Sequence, residues 1–346
     1  MLPTCPRHGP LREWGLPRMS DLGLLVEPAR PLPEPRTIEP GLSAGDKVFK
    51  AVAAAGASSV LLILGLVAIF LFVEASPAIK TAGFKFLTTF EWDPDALPAH
   101  FGIAAVVFGT TMIAVIALVV ALPIAIGSAL FVNEYAPPRL GRPLVALLDL
   151  LAAVPSLIYG MWGLYYLQPH LMGSSRWLTD HLGFIPFFHT TRPVFGSSMF
   201  VAGIVVGLMV LPIVASVTLE VLSQAPRGVC EAALALGGSR WGMIRSVILP
   251  FGRSGIVGAA MLGLGRALGE TIAIALILSF NFRIQTQVLA PGGGSVAGLI
   301  ANNFGEAGEA QRHALVAAGL ALFVITLIVN TVARLIVNKT SKGKME

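Results

Sequence analysis

The chain has 346 residues, 55% of them hydrophobic and 12% charged, with a mean hydropathy of +0.78 and a formal net charge of +5. That balance excludes a soluble domain with a polar surface and leaves a polytopic membrane protein. No Gly-x-x-x-x-Gly-Lys-Ser/Thr loop and no Gly-x-Ser-x-Gly elbow occurs, so the chain is expected neither to bind ATP by itself nor to act as a serine hydrolase.

Residues 1–45 hold nine prolines by residue 40 and no apolar core, which predicts a disordered cytoplasmic tail rather than a signal peptide. The rest, 46–346, reads as one transmembrane domain. A bilayer core of roughly 30 Å needs about 20 apolar residues per helix, and such stretches run over 48–73, 101–132, 144–168, 197–222, 254–280 and 314–338. Six helices are therefore expected. Pro123, Pro155 and Pro212 fall inside these segments, where a missing amide donor kinks a helix; shaping the bundle is the favoured reading over marking a pathway. In the third segment, Asp149 reads as an interfacial residue. Ser156 and Tyr159 fit a polar route and helix packing equally well.

Between the fourth and fifth segments lies a polar loop, 223–253. Pro226 suits a helix start, Glu231 is expected early in that helix at its positive dipole end, and Arg240 and Arg245 later. Small Ala232, Ala233 and Gly237 would leave room for a close partner. Gly238 and Ser239 suit a turn, and Leu249-Pro250 is expected to close the unit before the next apolar segment. Glu220 and Arg227 stand close enough to brace it.

The fifth segment carries the chemistry. Gly265-x-x-x-Gly269, preceded by Gly255, Gly258 and Gly263, gives a face that a neighbouring helix can approach closely. Arg266 comes about 16 Å into the span, near mid-bilayer, with Glu270 expected one turn further on the same face. Each charge costs roughly 2.5 to 3.5 kcal/mol to insert there, so both must face protein or water. Two readings are open: an i, i+4 pair that holds the bundle together, or a polar route in which the guanidinium fork meets an oxyanion. The second is favoured, because ionisable residues inside a membrane mark function by default.

Orientation follows from the cations. With both termini inside, cytoplasmic segments hold 17 of the 24 Lys and Arg residues and external loops six, with Arg266 the last. The basic character then reflects topology and anionic lipid rather than nucleic acid. Cys5 and Cys230 would both face a reducing compartment and are expected free. The six histidines show no metal-ligand spacing, so no metal is expected.

Glu231-Ala-Ala-x-x-x-Gly237, followed by Val247-x-Leu249-Pro250, resembles the EAA loop of ABC importer permeases, with Val247 where Ile is usual. More narrowly, the runs Ala153 to Gly163, Leu211-Pro212-Ile, Pro250 to Ile256 and Gly263 to Thr271 resemble the PstC-type permeases of bacterial phosphate importers. The resemblance covers residue 46 to the end. It implies an all-α membrane protein with the six-helix, type I importer (MetI-like) fold, in the bacterial plasma membrane, and a transporter subunit rather than an enzyme. Implied partners are a homologous second permease, two ATPase subunits that hold ATP and Mg, and an extracytoplasmic phosphate-binding protein. It maps Glu231, Ala232, Ala233, Gly237, Leu249 and Pro250 to ATPase coupling. Arg266 and Glu270, with Ser156 and Tyr159, map to the phosphate pathway. A permease for molybdate, sulfate or phosphonate would share the EAA loop but not the run from Arg266 to Thr271. A secondary transporter or channel would be marked by inverted repeats and half-helices at midplane, which are not evident in the sequence.

Overall fold

The computed structural model describes residues 43–96, 98–190 and 195–342. Most of the expected tail, 1–42, lies outside the described residues. The chain divides at Leu61. Up to that point the described part is the opening of a long helix, α1 (Ala44–Ala82), whose residues there are all exposed.

The second unit, Leu62–Glu346, is built on three helices: α2 (Ala104–Leu130), α6 (Met199–Ser223) and α9 (Leu249–Leu268). Helix α6 is apolar on every side and 61% buried over its span, against at most 28% for any other, so it is the central post. It is close to α2 because small residues line the contact. Ala114, Ala117, Ala121 and Ala125 form a buried stripe on α2, and a Cβ added at Gly203 would come within 2.5 Å of Ile116. On the other flank, a Cβ at Gly255 of α9 would come within 2.3 Å of Val221.

Five helices are long and apolar enough to cross a membrane, or six if one bent pair is a single span. That pair is the expected third segment, and it is not straight. Helix α3 (Pro138–Ala152) and the run Ser156–Leu182 meet at 91°. The run comprises α4 (Ser156–Trp162), a π-helical turn and α5 (Gln168–Leu182). Pro155 caps the start of α4, so it marks a break rather than an interior kink, whereas Pro123 and Pro212 sit inside unbroken helices. The fifth segment is broken too. Helix α9 stops at Leu268 and a half-helix, α10 (Ile272–Ile277), follows, contrary to the expectation of an uninterrupted span without half-helices.

Two short helices, α7 (Arg227–Ala235) and α8 (Arg240–Met243), form the loop between α6 and α9. At the opposite end, β1 (Trp92–Asp93) pairs antiparallel with β2 (His100–Phe101), a small departure from an all-helical fold. Trp92 stacks on Phe282 at 5.9 Å. Helix α11 (Val296–Asn303) is tied to α2, where the Val296 amide donates to Thr110 Oγ1 at 3.0 Å. The last helix, α12 (Glu309–Lys342), is fastened to α1 through His313 Nδ1, 2.8 Å from the Glu74 carbonyl and 3.4 Å from Glu74 Oε1.

Candidate functional site

The break after α9 separates the two charges that the sequence puts one turn apart. The Gly269 and Glu270 amides close on the Gly265 and Ala267 carbonyls, and the chain then restarts as α10. Glu270 does not stack over Arg266, and no ion pair joins them, so a structural i, i+4 pair is not what holds this region. Instead the Glu270 carboxylate, only 7% exposed, accepts from the Ala273 amide at 3.2 Å. It caps the half-helix at the end where unpaired amides and the dipole favour a negative charge.

Arg266 is exposed on the surface of α9. If Arg266 lies at the mid-bilayer depth expected from the sequence, a guanidinium without a carboxylate partner cannot face lipid there, and its surface must meet another protein, water or an anion. Arg266 is near enough to Tyr159 for its charge to act on the phenol. Tyr159 itself donates from its hydroxyl to the Leu151 carbonyl at 3.0 Å, bridging the bend between α3 and α4 and adding to the bond that this carbonyl takes from the Val154 amide. Ser156, half-buried, is the first residue of α4, one turn before Tyr159.

The two broken spans pack on each other at their breaks. A Cβ on Gly160 of α4 would lie 2.8 Å from Ala273 Cα of α10, and one on Gly163 would lie 3.2 Å from Ile277 Cδ1 of the same half-helix. The run around Ser156 to Gly163 and the run from Gly265 to α10 are thus one structure, 110 residues apart in sequence yet in contact. Hydropathy does not reveal this, because both breaks sit within apolar runs. The signals were local: Gly269 just after the last helical residue, and polar Glu270-Thr271 before an apolar stretch.

At the loop, the structure reassigns several residues. Glu231 is the fifth residue of the nine in α7, past the first turn where the dipole acts. It lines a cleft of about 370 Å³ with Glu134, Arg227, Cys230 and Arg240. Ala232 is exposed, but Ala233 is half-buried against Leu222, Met243 and Ile244. Arg240 and Arg245 belong to the next helix, where Ser239 caps α8 by accepting from the Gly242 amide at 3.1 Å. Arg240 Nη1 reaches the Glu134 carbonyl, 3.1 Å away, in the π-helical turn Phe131–Tyr135 that follows α2. Leu249 and Pro250 do not close the loop: helix runs on from Arg240 to Leu268, with a π-helical turn at Ile244–Ile248. The sequence reading missed the apolar tip, where Leu236 is 90% and Trp241 59% exposed.

Residues 121–342 match the family described as binding-protein-dependent transport system inner membrane component. Every candidate residue lies inside that stretch. The chain belongs to this family. It is similar to "Phosphate transport system permease protein PstC 2" of Mycobacterium tuberculosis, 43% identical over 86% of this chain and 94% of the relative. It is likewise similar to "Phosphate transport system permease protein PstC" of Haemophilus influenzae, 40% identical over 86% and 95%. Among solved structures, a bacterial ABC transporter involved in import of the polysaccharide alginate matches 85% of this chain and 99% of its own. Its TM-score is 0.52 at 16% identity, a likeness of fold alone. Family membership identifies the loop of α7 and α8 as part of a transport-system membrane component, and the chain as a permease subunit rather than an enzyme.

Proposed function

We propose that this chain is a permease subunit of an ATP-driven phosphate importer in the bacterial plasma membrane, with both termini and the 223–253 loop in the cytoplasm. The observation that carries the reading is Arg266: exposed two residues from the end of α9, unpaired with Glu270, at the junction of two broken helices. A guanidinium offers a phosphate oxygen pair two parallel donors. Glu270, held by the Ala273 amide, keeps the half-helix end in place and supplies a negative charge that shortens the stay of the anion. The relatives named for phosphate transport support the choice of substrate.

Coupling follows from the continuous helix. Arg240 and Arg266 stand at either end of a rod of about 39 Å, from the helical rise of ~1.5 Å per residue. A partner ATPase that binds ATP and Mg, docking on Glu231, Ala232 and the Leu236 tip, would move the loop and carry Arg266 with it. A second, homologous permease would cover the exposed face of α9, and an extracytoplasmic binding protein would deliver phosphate. The tail, 1–45, takes no part in this scheme. ATP binding needs only to favour one of two packings of the bundle for access to alternate.

The test is uptake of labelled phosphate by cells whose complex carries Arg266→Ala, Arg266→Lys or Glu270→Gln, with assembly checked in each. Loss of one charge-assisted contact predicts a drop of about 10- to 100-fold for Arg266→Ala, less for Arg266→Lys, and a small effect for Glu270→Gln, which keeps the capping oxygen. Undiminished uptake in an assembled Arg266→Ala complex removes Arg266 from the pathway. Competition by molybdate or sulfate as strong as by phosphate would reassign the substrate.

A further inference from the structure

Away from the pathway, the end of α1 turns back onto α12. Gly83, at φ +56° in the left-handed region, ends the helix and lets a 3₁₀ turn, Gly83–Leu87, lie against the last helix. Between the turn and α12 is a groove of about 470 Å³, lined by Ile79, Phe84, Leu87, Leu320, Val324 and Ile328 among others, with no charged or polar side chain in its wall. Along α12 it extends from Ala317 to Ile328, about 16 Å at the helical rise. Phe84 is 93% exposed, and a Cβ added at Gly83 meets no atom within 4 Å, so no other part of the described chain fills the space. Lys80 and Lys85 adjoin the groove residues Ile79, Phe84 and Phe86 in sequence. Both are exposed, and neither makes an ion pair among the described residues. The nearby Glu74 carboxylate is taken by His313.

We propose that this groove retains one anionic phospholipid, an acyl chain lying along α12 and the headgroup phosphate held by Lys80 and Lys85. The length of the groove fits an extended hydrocarbon chain, its wall offers nothing to a polar ligand, and the two exposed lysines next in sequence to its residues supply the cations that an anionic headgroup needs. Retention differs from ordinary solvation by bulk lipid because it requires both features at once. On the orientation proposed above the lipid belongs to the outer leaflet; its binding does not depend on that orientation or on the phosphate pathway.

The experiment uses the assembled complex in nanodiscs of mixed phosphatidylglycerol and phosphatidylcholine, with lipid that survives detergent release counted by native mass spectrometry. Wild type is expected to keep phosphatidylglycerol in preference to phosphatidylcholine. The Lys80→Gln, Lys85→Gln double variant, whose changes are both on the surface, should keep about tenfold less of it. Ala321→Phe, which fills the groove, should lose it with the lysines intact. Equal retention in wild type and the lysine variant overturns the proposal. So does a disulfide from Phe84→Cys to a cysteine of the second permease, which would show that protein occupies the groove.

Discussion

At Gly237 φ is +84°, and the amides of Gly237 and Gly238 close on the carbonyls of Leu234 and Ala233. This is a Schellman cap: it stops α7 and pairs two carbonyls that the last turn would otherwise leave open. The glycine therefore answers a backbone demand, where the sequence suggested only a small surface for a partner. A Cβ at this position meets nothing within 4 Å, so substitution costs conformational rather than steric energy, about 1–2 kcal/mol for an ordinary residue in the left-handed region. Gly237→Ala and Gly237→Leu should then lower the melting temperature of the isolated subunit equally, and Gly237→Asn by less, since Asn tolerates that region. A Leu variant that matches Ala alone but is far worse in complex with the ATPase would restore the docking role of the residue.

The helix from Arg240 to Leu268 carries the element-scale argument. Pro250 has no amide hydrogen and its ring pushes on the carbonyl four residues earlier, at Ser246; the π-helical turn at Ile244–Ile248 takes up that conflict without ending the helix. Reading Leu249-Pro250 as a boundary was reasonable for a water-exposed segment. It fails because packing against α2 and α6 keeps the helix together around the proline. If the rod transmits motion, a hinge placed in it should separate ATP hydrolysis from transport. Gly258 is the place to put one, because it lies between loop and Arg266 and a Cβ there meets no atom within 4 Å. Gly258→Ala should leave both activities intact, whereas Gly258→Pro, at roughly 3 kcal/mol for a proline in a helix interior, should keep hydrolysis and lower the phosphate moved per ATP in proteoliposomes. An unchanged ratio would show that the loop acts through another route, of which the Arg240 bond to Glu134, in the turn after α2, is the evident one.

Across the whole molecule, what could be read from sequence was what averages well. A window of about 20 residues finds apolar spans, so the spans around 48–73, 101–132, 197–222 and 314–338 coincide with single helices. The same averaging hides a break of three or four residues, so the bend before Ser156 and the interruption at Gly269 went unseen. With them went the contact between α4 and α10 and the separation of Arg266 from Glu270. Orientation rests on another average, the excess of Lys and Arg in segments expected to be cytoplasmic. It can be tested at two exposed points at opposite ends of the bundle, Leu236 on the loop and Asp93 in the β-hairpin. In chains with Cys5 and Cys230 replaced by Ser, a membrane-impermeant maleimide added to intact spheroplasts should label Asp93→Cys and leave Leu236→Cys unreacted. Inside-out vesicles should give the reverse. Labelling of Leu236→Cys from outside would turn the loop away from the compartment that holds ATP, and no ATPase could then work through it, whatever its fit to α7.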